Sequence, residues 1–192
     1  GCTQNIWLGA LGCLAGGVFI AFLLAYFALY LKTDIILGGI ALNLLTVGVT
    51  VFVMFAITGD KGATNSVRSL QFPSINIPFI QDIPIIGQML SGHNLLTYLA
   101  ILMVFLVYFL LYKTTFGLRL RAVGENPDAA SSVGIDVNRV QLYALLLSGV
   151  IASFGGMYMS MAYLKVFTTN MVAGRGYIAL AAAAMGQANP VG

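Results

Sequence analysis

Long runs without a charged residue dominate this chain and decide what it can fold into. From Trp7 to Leu31 there are 25 residues with no Asp, Glu, Lys or Arg. As an α-helix this run would be about 37 Å long, which exceeds the roughly 30 Å hydrocarbon core of a bilayer. Charged residues make up 8% of the chain, against roughly 25% in an ordinary soluble domain. The chain is therefore predicted to be an all-α integral membrane protein, a bundle of transmembrane helices.

Four complete membrane spans and part of a fifth are predicted, within a single transmembrane domain covering residues 1–192. They are expected at residues 7–31, 35–58, 95–112 and 140–164, with the partial segment at 176–191. The turn between the first two spans is short, so these two helices should form an antiparallel hairpin. The chain begins without Met, and we expect further spans beyond both of its ends.

The two long loops differ in their basic residues. Loop 113–139 contains four Lys or Arg residues, whereas the longer loop 59–94 contains two. Since cytoplasmic loops are enriched in Lys and Arg, loop 113–139 is predicted to be cytoplasmic and loop 59–94 extracellular. Over all loops the margin is small, five basic residues inside against four outside.

Loop 113–139 is predicted to contain a short helix. Asn126 is a good N-cap, Pro127 suits the first helical position, and Asp128 favours the positive end of the helix dipole. Gly134 supplies a C-terminal stop. The helix is shorter than the roughly 12 to 15 residues at which an isolated helix becomes marginal in water, so it needs a surface to lie on.

The residues of this short helix are small, which would let a partner approach closely. Its central stretch is Ala129, Ala130, Ser131 and Ser132. Arg119, Arg121 and Arg139 flank it with positive charge. On these features alone, a docking helix and an ordinary connector with a chance helix are about equally supported.

The loop also resembles a known family. Asp128-Ala129-Ala130-x-x-x-Gly134 is similar to the EAA-x-x-x-G coupling motif of ABC importer permeases, with Asp in place of Glu. The longer string 117–135 resembles the branch that carries nucleosides, simple sugars and branched-chain amino acids, and a second similar stretch covers 174–190. The resemblance implies that the residues coupling this chain to an ATPase subunit are Arg119, Arg121, Gly124, Glu125, Asn126, Pro127, Asp128, Ala129, Ala130 and Gly134.

The resemblance further implies a set of partners in a multi-pass, bacterial cell-membrane complex. They are a second permease subunit, identical or different, an ATP-binding cassette ATPase subunit on the cytoplasmic face, and an extracytoplasmic solute-binding protein. ATP would be bound by the ATPase subunit, since Gly59-Asp60-Lys61-Gly62 does not fit the phosphate-loop pattern. Nucleosides rank first as the solute, simple sugars second and branched-chain amino acids third.

Neither catalysis nor nucleic-acid binding is expected of this chain, and no cofactor or metal is predicted. His93 is the only histidine, so a His-based metal site or a Ser-His-Asp arrangement has no second histidine to draw on. The net charge of +3 is small and forms no basic stripe. An ATP-independent secondary transporter or channel is the alternative from another class. It would usually place ionisable residues inside the spans, and the four complete spans contain none.

Polar side chains inside the apolar segments are candidates for the solute path. Asn43 is the clearest, and Thr46 and Thr50 follow it at helical spacing. A hydrogen bond within the bundle would explain Asn43 equally well, and threonines often bond to their own helix backbone. Gln187 and Asn189 are further candidates, because in the resembled permeases this Gly-bounded segment lies beside the pathway. A helix that only looks short because the chain ends would explain the same pattern.

Helix contacts are predicted where small residues recur four positions apart, since small residues let membrane helices approach closely, either in packing within the bundle or at an interface with another subunit. The pairs that fit this spacing are Gly12 with Gly16, Ala21 with Ala25, Ser148 with Ala152, and Gly156 with Ser160.

Overall fold

The computed structural model describes residues 6–59, 95–163, 168 and 171–186. In chain order its helices are α1 (Ile6–Ala25), α2 (Ile35–Thr58), α3 (Leu95–Lys113), α4 (Thr115–Glu125), α5 (Pro127–Ser132), α6 (Val137–Tyr158) and α7 (Arg175–Met185). A π-helical turn continues α1 over Tyr26–Tyr30, and another continues α6 over Met159–Tyr163. The predicted all-α class is confirmed.

In the described part of the chain, four helices are long and apolar enough to cross a membrane. They cover Trp7–Tyr30, Ile35–Ile57, Leu95–Lys113 and Val137–Met161. The last begins three residues before the predicted span because Asp136 caps it, its carboxylate accepting a hydrogen bond from the Arg139 backbone N–H at 3.3 Å. These four helices form the membrane-spanning part of the described structure, and the other segments connect them.

The closest helix pair is α1 with α6, whose backbones touch at two glycines. A Cβ added at Gly17 would lie 2.7 Å from the Ser153 Cβ and 2.9 Å from the Gly149 carbonyl oxygen. A Cβ added at Gly149 would collide with the Ala21 Cβ. Towards the start of α1, Gly9 lies beside Met161, so the two helices run antiparallel. Glycine at both positions permits this approach, as is typical of membrane helix pairs.

The face of α1 that makes this contact includes one of the two predicted pairs, Ala21 with Ala25, and not the other. Gly9, Cys13, Gly17, Ala21 and Ala25 recur every four residues, and the Cys13 thiol donates to the Ser153 carbonyl at 3.5 Å. The buried pair Ala21 and Ala25 therefore belongs to the contact, as predicted.

The other predicted pairs do not mark the contact. Gly12 and Gly16 are exposed with open space beyond them, so they make no helix contact among the described residues, and an interface with another subunit stays a prediction. Ser148 and Ala152 are also exposed. The contact is made by the residues that follow them, Gly149 and Ser153. Gly156 has open space beside it, and the Ser160 hydroxyl donates to its own helix. A shift of one residue turns a helix face by about 100°, and spacing alone does not select among neighbouring stripes of small residues.

Candidate coupling loop and solute cavity

The short helix α5 begins at a well-formed cap. The Asn126 side-chain oxygen accepts hydrogen bonds from the backbone N–H groups of Asp128 and Ala129, both at 3.0 Å. Pro127 occupies the first turn, where its missing N–H leaves no donor unpaired. The predicted N-terminus of this helix is confirmed.

The end of α5 is fixed with equal precision. Gly134 has a φ of +84°, a conformation that glycine adopts without strain. Its N–H donates to the Ser131 carbonyl at 3.0 Å, and the Ile135 N–H donates to the Ala130 carbonyl at 3.1 Å. This pair of bonds is the Schellman arrangement. The predicted stop at Gly134 is confirmed, and the helix is held at both ends by its own residues.

Ala130 faces inwards, which corrects the prediction that all the small residues of α5 lie on a docking face. It is only 5% exposed and packs with Val123 of α4 and Val140 of α6. A helix this short has to bury one side to be stable, and Ala130 is the residue on that side. The remaining surface, here called the outward face of α5, consists of exposed residues: Asp128, Ala129, Ser131, Ser132 and Val133.

A second loop helix, α4, was not predicted. The Thr114 hydroxyl caps its start by accepting from the Gly117 N–H at 3.2 Å. At the corner between α3 and α4, a Cβ on Gly117 would collide with the carbonyl oxygens of Leu110 and Leu111. The Thr114 cap and the helical spacing of apolar residues were signals in the sequence. Helix α4 carries Arg119, Arg121, Gly124 and Glu125, and it joins α3 to α5.

The three arginines of the loop have separate environments. The Arg121 guanidinium lies 4.8 Å from the centre of the Tyr112 ring, a cation–π contact. Arg139 forms an exposed ion pair with Asp136 at 2.8 Å. Arg119 is exposed and has no ion-pair partner among the described residues. It lies with Arg139 in a groove of about 450 Å³ between α4 and the start of α6. Among the described residues, Arg119 is the one of the three with neither a carboxylate partner nor an aromatic ring contact.

A larger cavity, of about 650 Å³, lies between α2 and the segment that leads into α7. It brings together Asn43, Thr46 and Thr50 on one side of α2, as the predicted polar stripe requires. The Thr46 and Thr50 hydroxyls donate to the carbonyls of Leu42 and Thr46, each at 2.6 Å. Their hydrogens are used within the helix, and each oxygen retains a lone pair as an acceptor.

Asn43 is exposed, and among the described residues its side-chain amide has no hydrogen-bond partner. The alternative of a hydrogen bond within the bundle therefore finds no support in the described part of the chain. An amide at this depth of a spanning helix needs a polar partner. The cavity is the space from which such a partner would come.

The wall opposite α2 includes Tyr177, which sequence reasoning missed. Its side chain is 70% exposed and lines the cavity. Helix α7 starts after Gly174, whose φ is +75°, and the nearby Arg175 guanidinium donates to the Met159 sulfur at 2.9 Å. These contacts attach the start of α7 to the end of α6. With 11 residues, α7 is about 16 Å long, half the thickness of a bilayer core.

Comparison with known proteins settles the family. Residues 1–192 match the family described as the branched-chain amino acid transport system / permease component. The chain belongs to this permease family. The predicted resemblance is confirmed, and the four described helices that could span a membrane agree with a multi-pass membrane protein.

Two relatives of this permease chain carry guanosine or nucleoside names. The chain is 35% identical over 187 residues to the guanosine ABC transporter permease protein NupQ of Bacillus subtilis (strain 168), covering 97% of this chain and 58% of the relative. It is 37% identical over 192 residues to the nucleoside ABC transporter permease protein NupC of Lactococcus lactis subsp. cremoris (strain MG1363), covering 99% and 59%.

An archaeal relative carries a different solute name. The putative glucose ABC transporter permease protein TsgC13 of Haloferax volcanii is 31% identical over 192 residues, covering 98% of this chain and 56% of the relative. The chain thus spans less than two thirds of the length of these relatives. No solved structure gives a significant match.

Some predicted positions of the permease lie outside the described residues. These are Gln187 and Asn189, both candidates for the solute path, and residues 60–94 of the loop predicted to be extracellular. Their roles stay predictions.

Proposed function

We propose that this chain is part of the permease subunit of an ABC importer that carries nucleosides across the cell membrane. The observation that supports this most directly is the build of α5. Its ends are fixed by Asn126 and Gly134, its inner side is packed through Ala130, and its outward face is small and exposed. Such a helix presents a rigid surface on which an ATPase subunit can dock.

Helix α5 is connected to two spanning helices, so a movement of α5 would be transmitted to both. Helix α4 joins it to α3, and the cluster of Val123, Ala130 and Val140 joins it to α6. When ATP closes the ATPase dimer, a push on the outward face would move α3 and α6 together with the loop. Movement of these helices alternates access to the solute path.

The complex needs partners that this chain does not supply. ATP is bound by the ATPase subunit, a second permease subunit completes the path, and an extracytoplasmic solute-binding protein delivers the solute. Loop 113–139 faces the cytoplasm in this arrangement. Asn43, Thr46 and Thr50 line the path, in the cavity beside α7.

Nucleosides are preferred because the two bacterial relatives described above carry guanosine and nucleoside names. None of the described residues that line the cavity is charged, which supports a neutral solute over a zwitterionic amino acid. Simple sugars are the second candidate, and the name of the Haloferax relative favours them.

The test is uptake of radiolabelled guanosine by cells that carry the full-length permease gene with its ATPase. Uptake should require the gene and should stop when the ATPase is inactivated. Adding an arginine to the outward face, as Ala129→Arg, should abolish uptake at normal membrane levels of the protein.

The matched control is Thr33→Arg, which places the same side chain at an exposed residue of the turn between α1 and α2. Uptake by this variant should stay near that of the parent. Uptake that continues without ATPase activity would instead support a channel or a secondary transporter. Normal uptake by Ala129→Arg would rule out docking on the outward face.

A further inference from the structure

We infer that Asn43 and Tyr177 are the nucleobase-recognition residues of the permease, with the Asn43 amide reading the base edge and the Tyr177 ring covering the base face. The inference rests on the proposed function and adds to it the residues that separate a nucleoside from a sugar. Both residues line the same cavity, Asn43 from α2 and Tyr177 from α7.

The Asn43 amide has the chemistry that a base edge requires. It offers a donor and an acceptor side by side, so it can donate to O6 and accept from N1–H of guanine, as an asparagine pairs with the adjacent acceptor and donor of adenine. Among the described residues nothing occupies either group. A solute in the cavity therefore meets an amide that no described side chain has already satisfied.

Tyr177 provides an aromatic surface on the other wall. Its ring is 70% exposed, and it lies beside Gly174, where an added Cβ would be 3.9 Å from the Tyr177 Cδ2. Gly174 and Gly176 both line the cavity and contribute no side chain to fill it. Stacking on an aromatic ring suits every base because every base has a π face.

Thr46 and Thr50 complete the site as acceptors for ribose. Each hydroxyl already donates to its own helix, so each presents a lone pair that a sugar hydroxyl can donate to. Along the helix axis they lie about 4.5 and 10.5 Å from Asn43. This spread along one side of α2 suits an elongated solute with a base at one end and a sugar at the other.

The size and the charge of the cavity agree with this assignment. Its volume of about 650 Å³ is within the roughly 300–1,000 Å³ of small-molecule sites. The described lining is apolar apart from Asn43, the threonines and Tyr177. A neutral heterocycle fits such a lining, whereas a phosphate or a zwitterion would find no compensating charge there.

The experiment compares two solutes that differ only at the base edge. Guanosine and unsubstituted purine riboside compete for uptake by the full importer, and the inhibition constant of each is measured. The variant Asn43→Leu should weaken guanosine about tenfold or more, as expected for loss of a paired contact to a base, and should change purine riboside by less than about threefold.

Two variants of Tyr177 test the stacking wall. Tyr177→Phe keeps the ring and should leave both inhibition constants within about twofold, while Tyr177→Leu should weaken both nucleosides about fivefold or more. Tyr30→Leu is the control, because Tyr30, in the π-helical turn after α1, is similarly exposed at 76% and does not line the cavity. The ATPase activity of the reconstituted importer should be retained in all variants.

Unchanged discrimination between guanosine and purine riboside in Asn43→Leu would overturn the assignment of Asn43. Equal losses in Tyr177→Phe and Tyr177→Leu would overturn the stacking role. Failure of the proposed function is a different result, in which the parent importer takes up no nucleoside at all.

Discussion

Ala130 of the short helix α5 is buried against Val140 of α6, so the coupling loop and a spanning helix share one apolar cluster. The two residues are 5% and 8% exposed, and Val123 of α4 closes the cluster at 3%. A force applied to α5 is therefore received by well-packed side chains of its neighbours. This contact is the physical basis of the coupling proposed above.

Overfilling this cluster should destabilise the loop. Ala130→Leu adds three carbon atoms to a closely packed site, and overpacking of this kind typically lowers the free energy of unfolding by about 1–3 kcal/mol. Thermal unfolding of the purified importer in detergent measures the effect. The control is Ala129→Leu, which places the same side chain on the outward face and should change stability by less than about 0.5 kcal/mol. Equal losses in the two variants would contradict the inward position of Ala130.

The Asn126 cap makes a separate prediction about the order of the loop. In Asn126→Ala the N–H groups of Asp128 and Ala129 lose their acceptor, which should destabilise the start of α5 by about 1 kcal/mol. Hydrogen exchange at these two amides should then accelerate about fivefold. Asn126→Ser retains a capping oxygen and should keep exchange near the rate of the parent. An unchanged rate in Asn126→Ala would show that the cap does not hold the helix.

Glycine positions on α1 give a prediction about the spanning helices. Gly17→Ala introduces a Cβ 2.7 Å from the Ser153 Cβ, so α1 and α6 must separate and the melting temperature should fall. Gly12→Ala is the matched control, because nothing lies within 4 Å of its added Cβ. Alanine favours a helix over glycine, so this control should be neutral or slightly stabilising. A larger loss in Gly12→Ala would place the α1 contact on the predicted face after all.

Arg119 should contribute to binding of the ATPase subunit. It is exposed and has no ion-pair partner among the described residues, so Arg119→Glu reverses a charge that is free to meet an acidic partner. Affinity for the ATPase subunit should fall about fivefold in low salt and less in high salt, because exposed charges are screened. Lys32→Glu makes the same charge change at the turn between α1 and α2 and should leave affinity unchanged. A salt-independent loss would argue against an electrostatic contact.

The sequence was sufficient for the all-α class and for the two ends of α5, which depend on local chemistry, whereas α4 was missed. The capping roles of Asn126 and Gly134 could be predicted, because a capping oxygen and a positive φ affect only the few residues beside them. The inward orientation of Ala130 could not be predicted, since it depends on packing against Val140, which belongs to a different helix. The choice between the Gly12 and Gly17 faces of α1 likewise depends on α6. Tyr177 was missed because its cavity forms only when α2 and the start of α7 lie side by side.

The central claim is that an ATPase subunit docks on the outward face of α5, and site-specific photocrosslinking tests it most directly. A benzophenone amino acid is placed at position 129, and in a second sample at position 33 in the turn between α1 and α2, in the full-length permease of the assembled importer. The account predicts an ultraviolet-dependent crosslink to the ATPase subunit from position 129 and little or none from position 33. Crosslinking from position 33 alone, or from neither position in an importer that transports, would contradict it.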